Sequence, residues 1–322
     1  MKAIQIHSTG GPEVLQLADL PIPEPGPGQA LIRIEATGVN FIEIYFRKGV
    51  YKTALPVTLG SEAAGTVEEL GPGVTGFTAG DAVASTSVIG SYAEYALVPA
   101  AQLVKIPDGL SLEHAAAAML QGMTAHYLAY STYPLKKGDT VLVHAGAGGV
   151  GLLLTQIANR IGARVITTVS TKAKAELSLE AGASDVILYT DQDFEAEVKR
   201  LTGGKGVDVV YDSVGKTTFD QSLNCLRPRG MLVLYGASSG PVPPFDPIQL
   251  NSKGSLYLTR PVLWHYIATR AELEWRAGDV LGWAARGDIK LRTEHTYPMT
   301  EAAQAQTDLE ERKTTGKILL VP

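Results

Sequence analysis

Six consecutive residues carry the clearest chemical signal in this chain: Gly146-Ala147-Gly148-Gly149-Val150-Gly151, a G-x-G-x-x-G pattern. It lies between an apolar run at 140–145 and a helical stretch at 150–161, so it joins a strand to a helix, the context that gives the pattern meaning. At such a junction the first glycine permits the tight turn and the second lets backbone approach a pyrophosphate. The third lets the helix pack close to the strand, with its N-terminal amides facing the anion. About 20 residues further on, chains that bind NAD place an Asp or Glu for the ribose 2′-hydroxyl. Here that stretch is Ile166-Thr167-Thr168-Val169-Ser170-Thr171-Lys172-Ala173-Lys174, with no acid before Glu176. Hydroxyls and two lysines stand where a carboxylate would repel a 2′-phosphate, which implies NADP(H). The plainer alternative is a set of solvated residues at a helix start.

Other catalytic patterns fail on context. Gly236-Ala237-Ser238-Ser239-Gly240 matches the G-x-S-x-G of a nucleophile elbow, but that elbow must feed into a helix, and Pro241-Val242-Pro243-Pro244 forbids one. Gly215-Lys216-Thr217 ends like a phosphate loop, yet Val210 stands where the opening glycine belongs. Tyr133 and Lys137 have Tyr-x-x-x-Lys spacing, but Pro134 opposes the helix that would align them. The six histidines (7, 114, 126, 144, 265 and 295) show no metal-ligand spacing. His144, at the end of the strand before the glycine loop, reads as a packed, hydrogen-bonded side chain.

The elements that must position the glycine loop are periodic. Strands at 140–145, 164–169, 185–189, 207–212 and 231–235 alternate with helices at 150–161, 171–181, 193–201 and 217–226. Near-continuously apolar strands between helices mean a parallel sheet covered on both faces, here a doubly wound domain. Residues 1–110 instead hold short β runs cut by Gly and Pro, at 2–6, 30–36, 65–69, 81–84 and 92–98, as in a compact barrel-like domain. Ser111 caps an Ala-rich helix through Leu120, and 124–130 forms a second helical piece. The tail adds helices at 270–286 and 300–311 and a strand at 317–321. It is too short for a third domain and is expected to complete the first.

Composition bounds the function. The 322 residues are 45% hydrophobic and 19% charged, enough for about two domains with ordinary cores. A net charge of −5 disfavours a nucleic-acid partner. Cys225 is the only cysteine, which excludes an intrachain disulfide and a cysteine-built zinc site, so no metal is expected. The opening Met1-Lys2-Ala3-Ile4-Gln5-Ile6-His7 turns polar at once, unlike a signal peptide. Apolar stretches such as 150–154 fall far short of the ~20 residues of a membrane span. A cytoplasmic protein with no membrane partner is expected.

The run from Gly138 to Gly151, followed by Gln156, resembles the signature of the quinone oxidoreductase and zeta-crystallin branch of the medium-chain dehydrogenases, with Asn159 where a basic residue or Ser is usual. The likeness covers nearly the whole chain, including Gly10–Leu15, Asn40–Tyr51, Gly60–Gly65, Tyr211–Gly215 and Leu258–Pro261. Zinc alcohol dehydrogenases of that superfamily carry Gly-His-Glu where this chain has Gly60-Ser61-Glu62, so the resemblance implies the zinc-free branch. It implies an α/β chain with a GroES-like β-rich catalytic domain (1–122 and 265–322) enclosing a Rossmann domain with a doubly wound parallel sheet (123–264). NADPH is the implied cofactor and a homodimer the implied assembly. The glycine loop (Gly146, Ala147, Gly148, Gly149, Val150, Gly151) then holds the dinucleotide, with Ser213, Gly236, Ser238, Ser239, Leu258, Thr259 and Arg260 beside it. Lys174, Tyr189 and Arg312, with Ser170 close by, are implied for the 2′-phosphate. Taken alone, Arg312 is an exposed helix-end arginine. Asn40, Tyr45, Tyr51 and Thr124 are implied for the nicotinamide and substrate pocket. Tyr45 and Tyr51 are otherwise ordinary strand-end packing.

Hydride transfer to an isolated carbonyl leaves an alkoxide that needs a Lewis acid or a placed proton donor. Quinones and conjugated enones spread that charge over a phenolate or enolate. A sequence with neither a zinc set nor a Tyr–Lys pair therefore points to those acceptors, aligned with NADPH in a cleft between domains and reduced largely by proximity. The leading expectation is an NADPH:quinone oxidoreductase. The alternatives are an alkenal or enone double-bond reductase sharing every cofactor residue, and a non-catalytic, crystallin-like NADPH-binding protein.

Overall fold

Alternating apolar residues and glycine-cut turns build the first part of the chain into β structure. In this computed structural model, which describes residues 1–322, the chain divides into two units: Met1–Met123 with Ile267–Pro322, and Thr124–Tyr266. The first unit opens with β1 (Lys2–Ile6) and β2 (Gln16–Asp19), an antiparallel pair. Next come β3 (Gln29–Val39), α1 (Phe41–Arg47), β4 (Val57–Thr58), β5 (Ala63–Leu70), β6 (Ala82–Ser85), β7 (Tyr95–Pro99) and β8 (Val104–Lys105). β3 is the organising strand: it pairs antiparallel with both β5 and β7 and is buried at most positions, Arg33 and Glu35 being the exposed ones. Ile32, Ile34, Val67, Val83, Val98 and Leu103 close one apolar core around it.

Helix α2 (Leu112–Tyr127) runs unbroken where two pieces were expected, and a single π-helical turn over Leu128–Thr132 follows it. Gly122 carries the reason. It sits inside the helix because a Cβ there would strike the Val280 side chain, so it serves close packing and ends nothing. The Ser111 hydroxyl caps the helix start by accepting from the His114 amide at 3.2 Å.

The second unit alternates strand and helix. Its elements are β9 (Thr140–Val143), α3 (Gly149–Ile161), β10 (Arg164–Val169), α4 (Lys172–Glu180), β11 (Asp185–Leu188), α5 (Phe194–Leu201), β12 (Val207–Asp212), α6 (Phe219–Asn224), β13 (Leu226–Leu234), α7 (Ile248–Ser252) and β14 (Tyr257–Thr259). All six strands run parallel in the order β11-β10-β9-β12-β13-β14. That is the doubly wound order, with its switch point between β9 and β12. β13 begins five residues before its expected start because Leu226 already pairs with Val207. The core of Leu142, Ile166, Val210, Phe219, Leu223 and Leu232 lies under the α5–α6 face.

The tail then returns to the first unit with α8 (Arg270–Ala285), β15 (His295–Pro298), α9 (Ala302–Glu310) and β16 (Ile318–Val321). β16 pairs antiparallel with β3, placing Leu319 opposite Gly38 and extending the sheet to seven strands. Next to this junction Lys317 forms an ion pair with Glu62, both fully buried. A Cβ at Gly38 would overlap both side chains, so the glycine makes room for the charges. Lys317→Met leaves the Glu62 carboxylate buried without its cation, which costs about 3–5 kcal/mol. Urea unfolding of the variant should show that loss. A change below about 1 kcal/mol would mean that the pair does not hold this junction.

Candidate active site

The turn after β9 has the shape a phosphate needs. Ala145 takes φ +54, Gly148 is the N-cap of α3, and no side chain caps that end of the helix. The first turn of α3 also lacks an acidic residue, so its amides and dipole remain available to an anion. A Cβ at Gly151 would overlap the Ala145 carbonyl oxygen, and one at Gly146 would lie 2.5 Å from Thr167 Cβ. These contacts let helix and turn approach closely, as a pyrophosphate cradle requires.

The other residues expected around the dinucleotide in this unit lie at the carboxyl ends of the parallel strands, where doubly wound sheets bind ligands. Ser170 follows β10, Lys174 lies in the first turn of α4, and Tyr189 follows β11. Ser213 follows β12, Gly236 to Ser239 follow β13, and Leu258 and Thr259 end in β14 just before Arg260. Two of these loops are tied together. The Ser238 amide donates to the Ser213 carbonyl at 3.1 Å, and the Ser239 hydroxyl to the Val214 carbonyl at 2.7 Å. No carboxylate stands between the end of β10 and Lys174, so the strand end suits a 2′-phosphate better than a bare ribose. Arg312 lies in the other unit, just past α9, with φ +60.

His144 is fully buried. Its ring nitrogens bond the Thr168 hydroxyl at 2.9 Å and the Ser222 hydroxyl at 3.0 Å, and Phe194 meets the ring edge-on. Burial lowers its pKa below the ordinary 6.5, with the nearby Asp212 carboxylate opposing. Tyr133 and Lys137 lie beyond the π-turn with no helix between them.

In the first unit, Asn40 is the N-cap of α1. Its backbone amide donates to Glu43 Oε2 at 2.8 Å, completing a capping box that supports this seven-residue helix. The Asn40 side chain joins the buried charges: Nδ2 donates to Glu62 Oε1 at 2.7 Å, and Oδ1 accepts from Lys317 Nζ at 2.8 Å. Glu62 Oε2 accepts the Leu120 amide of α2 at 2.7 Å. The Ser61 hydroxyl donates to Glu43, whose fully buried carboxyl is pushed up to about 7, chiefly by desolvation. Tyr45 lies inside α1, not at a strand end, and meets Tyr51 edge-on at 5.4 Å between ring centroids. Tyr51 also meets Phe46 at 5.7 Å and is 40% exposed. Thr124 lies within α2 in the other unit and is buried. Glu43, Glu62 and Lys317 were not singled out as site residues from the sequence, although Asn40-x-x-Glu43 has capping-box spacing.

A doubly wound sheet with a glycine cradle at its switch point, enclosed in sequence by a β-rich unit, defines a medium-chain dehydrogenase/reductase. Residues 149–264 match the zinc-binding dehydrogenase family and residues 26–108 the alcohol dehydrogenase GroES-like domain. The chain is 46% identical over 323 residues to a quinone oxidoreductase of Pseudomonas aeruginosa, covering 100% of this chain and 99% of that one. It is 44% identical over 328 residues to a 2-haloacrylate reductase of a Burkholderia species, covering 99% and 98%. An Escherichia coli quinone oxidoreductase solved with NADPH superposes with a TM-score of 0.98 at 42% identity over 100% of both chains. A mycobacterial protein solved with NADPH does so with a TM-score of 0.98 at 53% identity, again over 100% of both. The chain belongs to the quinone oxidoreductase family.

His144 yields a pH test. The folded protein holds the ring neutral, whereas the unfolded chain protonates it below about pH 6.5. Its contribution to stability is therefore complete above that pH and lost as pH falls. Relative to His144→Gln, the wild type should lose unfolding free energy between about pH 7.5 and 5.5. Parallel curves for the two proteins would contradict a buried, neutral His144.

Proposed function

We propose that the chain is an NADPH-dependent quinone oxidoreductase that works without zinc. The observation that carries this reading is the uncapped, glycine-lined N-terminus of α3 beside a second strand end bearing Ser170 and Lys174 but no acid. Relatives named quinone oxidoreductase and neighbours solved with NADPH support it. Gly146 to Gly151 would hold the pyrophosphate. Ser170, Lys174, Tyr189 and Arg312 would take the 2′-phosphate, and Ser213, Gly236, Ser238, Ser239, Leu258, Thr259 and Arg260 the rest of the dinucleotide. Bound NADPH supplies the hydride. Asn40, Tyr45, Tyr51 and Thr124 would orient a flat acceptor, the paired tyrosine rings offering it an aromatic wall. Most acceptor residues thus come from 1–122 and most cofactor residues from 123–264, with Thr124 and Arg312 the exceptions.

Zinc independence rests on the side chains present. Ser61 replaces the ligating histidine, the lone Cys225 is buried in the second unit, and no three His, Cys, Asp or Glu side chains group to hold a metal. No helix is long and apolar enough to cross a membrane. A homodimer is favoured by β14, a strand with one unpaired edge and Tyr257 exposed upon it. A second reading, reduction of an activated C=C bond, is supported by the 2-haloacrylate reductase relative.

Lys174→Glu tests the cofactor assignment. Losing a charged contact and adding a repulsive one should shift the kcat/KM ratio of NADPH to NADH toward NADH by about 100-fold or more. An unchanged ratio would remove Lys174 from the 2′-phosphate site. Light scattering on a sizing column should give twice the chain mass, and a monomer would overturn the homodimer.

A further inference from the structure

We propose that Ser61 and Glu43 form a proton relay for the reduced acceptor, with Ser61 as the catalytic donor and Glu43 acting through it. This rests on reading the chain as an NADPH-dependent reductase. Adding a hydride to a quinone or enone leaves an anionic oxygen that must gain one proton. Protonation of Glu43 reverses the hydrogen bond it accepts from Ser61; the Ser61 O–H bond then breaks toward the product oxygen while the Glu43 O–H bond breaks toward Ser61 Oγ. The serine is left neutral, the product is protonated, and Glu43 is left a carboxylate that solvent reprotonates before the next turnover. The two electrons come with the hydride, so no further reductant is needed.

The hydrogen bond and the burial of these groups support the relay. Ser61 and Glu43 share a hydrogen bond, and Glu43 lies on α1 between the site candidates Asn40 and Tyr45. The serine is half-buried, whereas Glu43, Glu62 and Lys317 are buried, so Ser61 is the more exposed partner of Glu43. The two carboxylates differ in what faces them. Glu62 has the Lys317 ammonium, the Asn40 amide group and the Leu120 amide, all of them donors. Glu43 has only the Asn40 backbone amide and the Ser61 hydroxyl in contact, with Glu62 close enough to repel its charge and Lys317 to offset part of that. The buried Tyr92 phenol and Arg47 guanidinium complete the ionisable groups packed around the cluster. One carboxyl is thus tied into an ion pair and the other left able to exchange a proton at neutral pH, which separates a structural group from an acid.

The test uses the full chain, wild type, Glu43→Gln, Ser61→Ala and Ser61→Thr, with NADPH binding as the folding control. Carbon-13 glutamate-edited infrared titration should show a carboxylic-acid band disappearing near pH 7 in the wild type and missing from Glu43→Gln. In Ser61→Ala the band should persist to higher pH, because the serine hydrogen bond favours the ionised form. With a 2-alkenal or a quinone, wild-type kcat/KM should fall as pH rises through the same point. Glu43→Gln and Ser61→Ala should lose that break and run about 100-fold slower below it, and Ser61→Thr should restore both. A Glu43→Gln enzyme that keeps the wild-type pH break overturns the relay alone, as does a glutamate band that fails to titrate near pH 7. A wild type that binds NADPH and reduces neither acceptor overturns the functional reading together with the relay.

Discussion

Lys317 and Glu62 stand side by side with no access to solvent, and several distant segments of the first unit meet on them. Glu62 precedes β5, Lys317 leads into β16, Asn40 caps α1, and Leu120 lies in α2. An ion pair in such a place must satisfy its remaining donors and acceptors, or its desolvation outweighs the attraction. The Asn40 side chain bonding both charges, and the Leu120 amide aimed at Glu62, meet that requirement. The consequence is positional. The residue at the head of α1 is locked by the same charges that dock the carboxyl-terminal strand, so α1 and its Tyr45 inherit a fixed orientation. Gly38, on β3, is the backbone concession that lets the charges in.

A second buried cation reinforces the arrangement from the other end of α1. Arg47 is sealed, donating to Gln306 at 2.7 Å and pairing with Glu310 on α9. A helix of seven residues is too short to persist by propensity alone. It is held instead by a capping box at its start and a buried charge at its end. In the second unit the controlling constraint is different. There a parallel sheet presents every strand end on one side, and the glycine turn at the switch point sets where an anion can sit.

These two kinds of constraint explain what was legible in the sequence. The second unit announces itself locally: apolar strands, glycine stops such as Gly162 at φ +93, and a motif whose meaning depends only on its neighbours. Its parallel sheet and glycine cradle follow from that pattern. The first unit depends on contacts between residues hundreds of positions apart, which no local window contains. Lys317 and Glu62 look like ordinary surface charges in sequence, and Arg47 like a solvated helix end. The single helix through 112–127 is not legible locally because the packing partner of Gly122, Val280, lies far along the chain. Tyr45 was placed by its neighbours at a strand end, whereas the capping box at Asn40 and Glu43 puts it on a helix.

The proposed reaction is transfer of a hydride from NADPH to a conjugated acceptor without a metal. The most direct measurement is oxidation of NADPH and, separately, NADH by the purified, chelator-treated protein with benzoquinone, naphthoquinone and a 2-alkenal. Turnover should prefer NADPH, accept quinones, and be unchanged by chelator or added zinc. Activity that disappears with chelator and returns with zinc, or that prefers NADH, would contradict it.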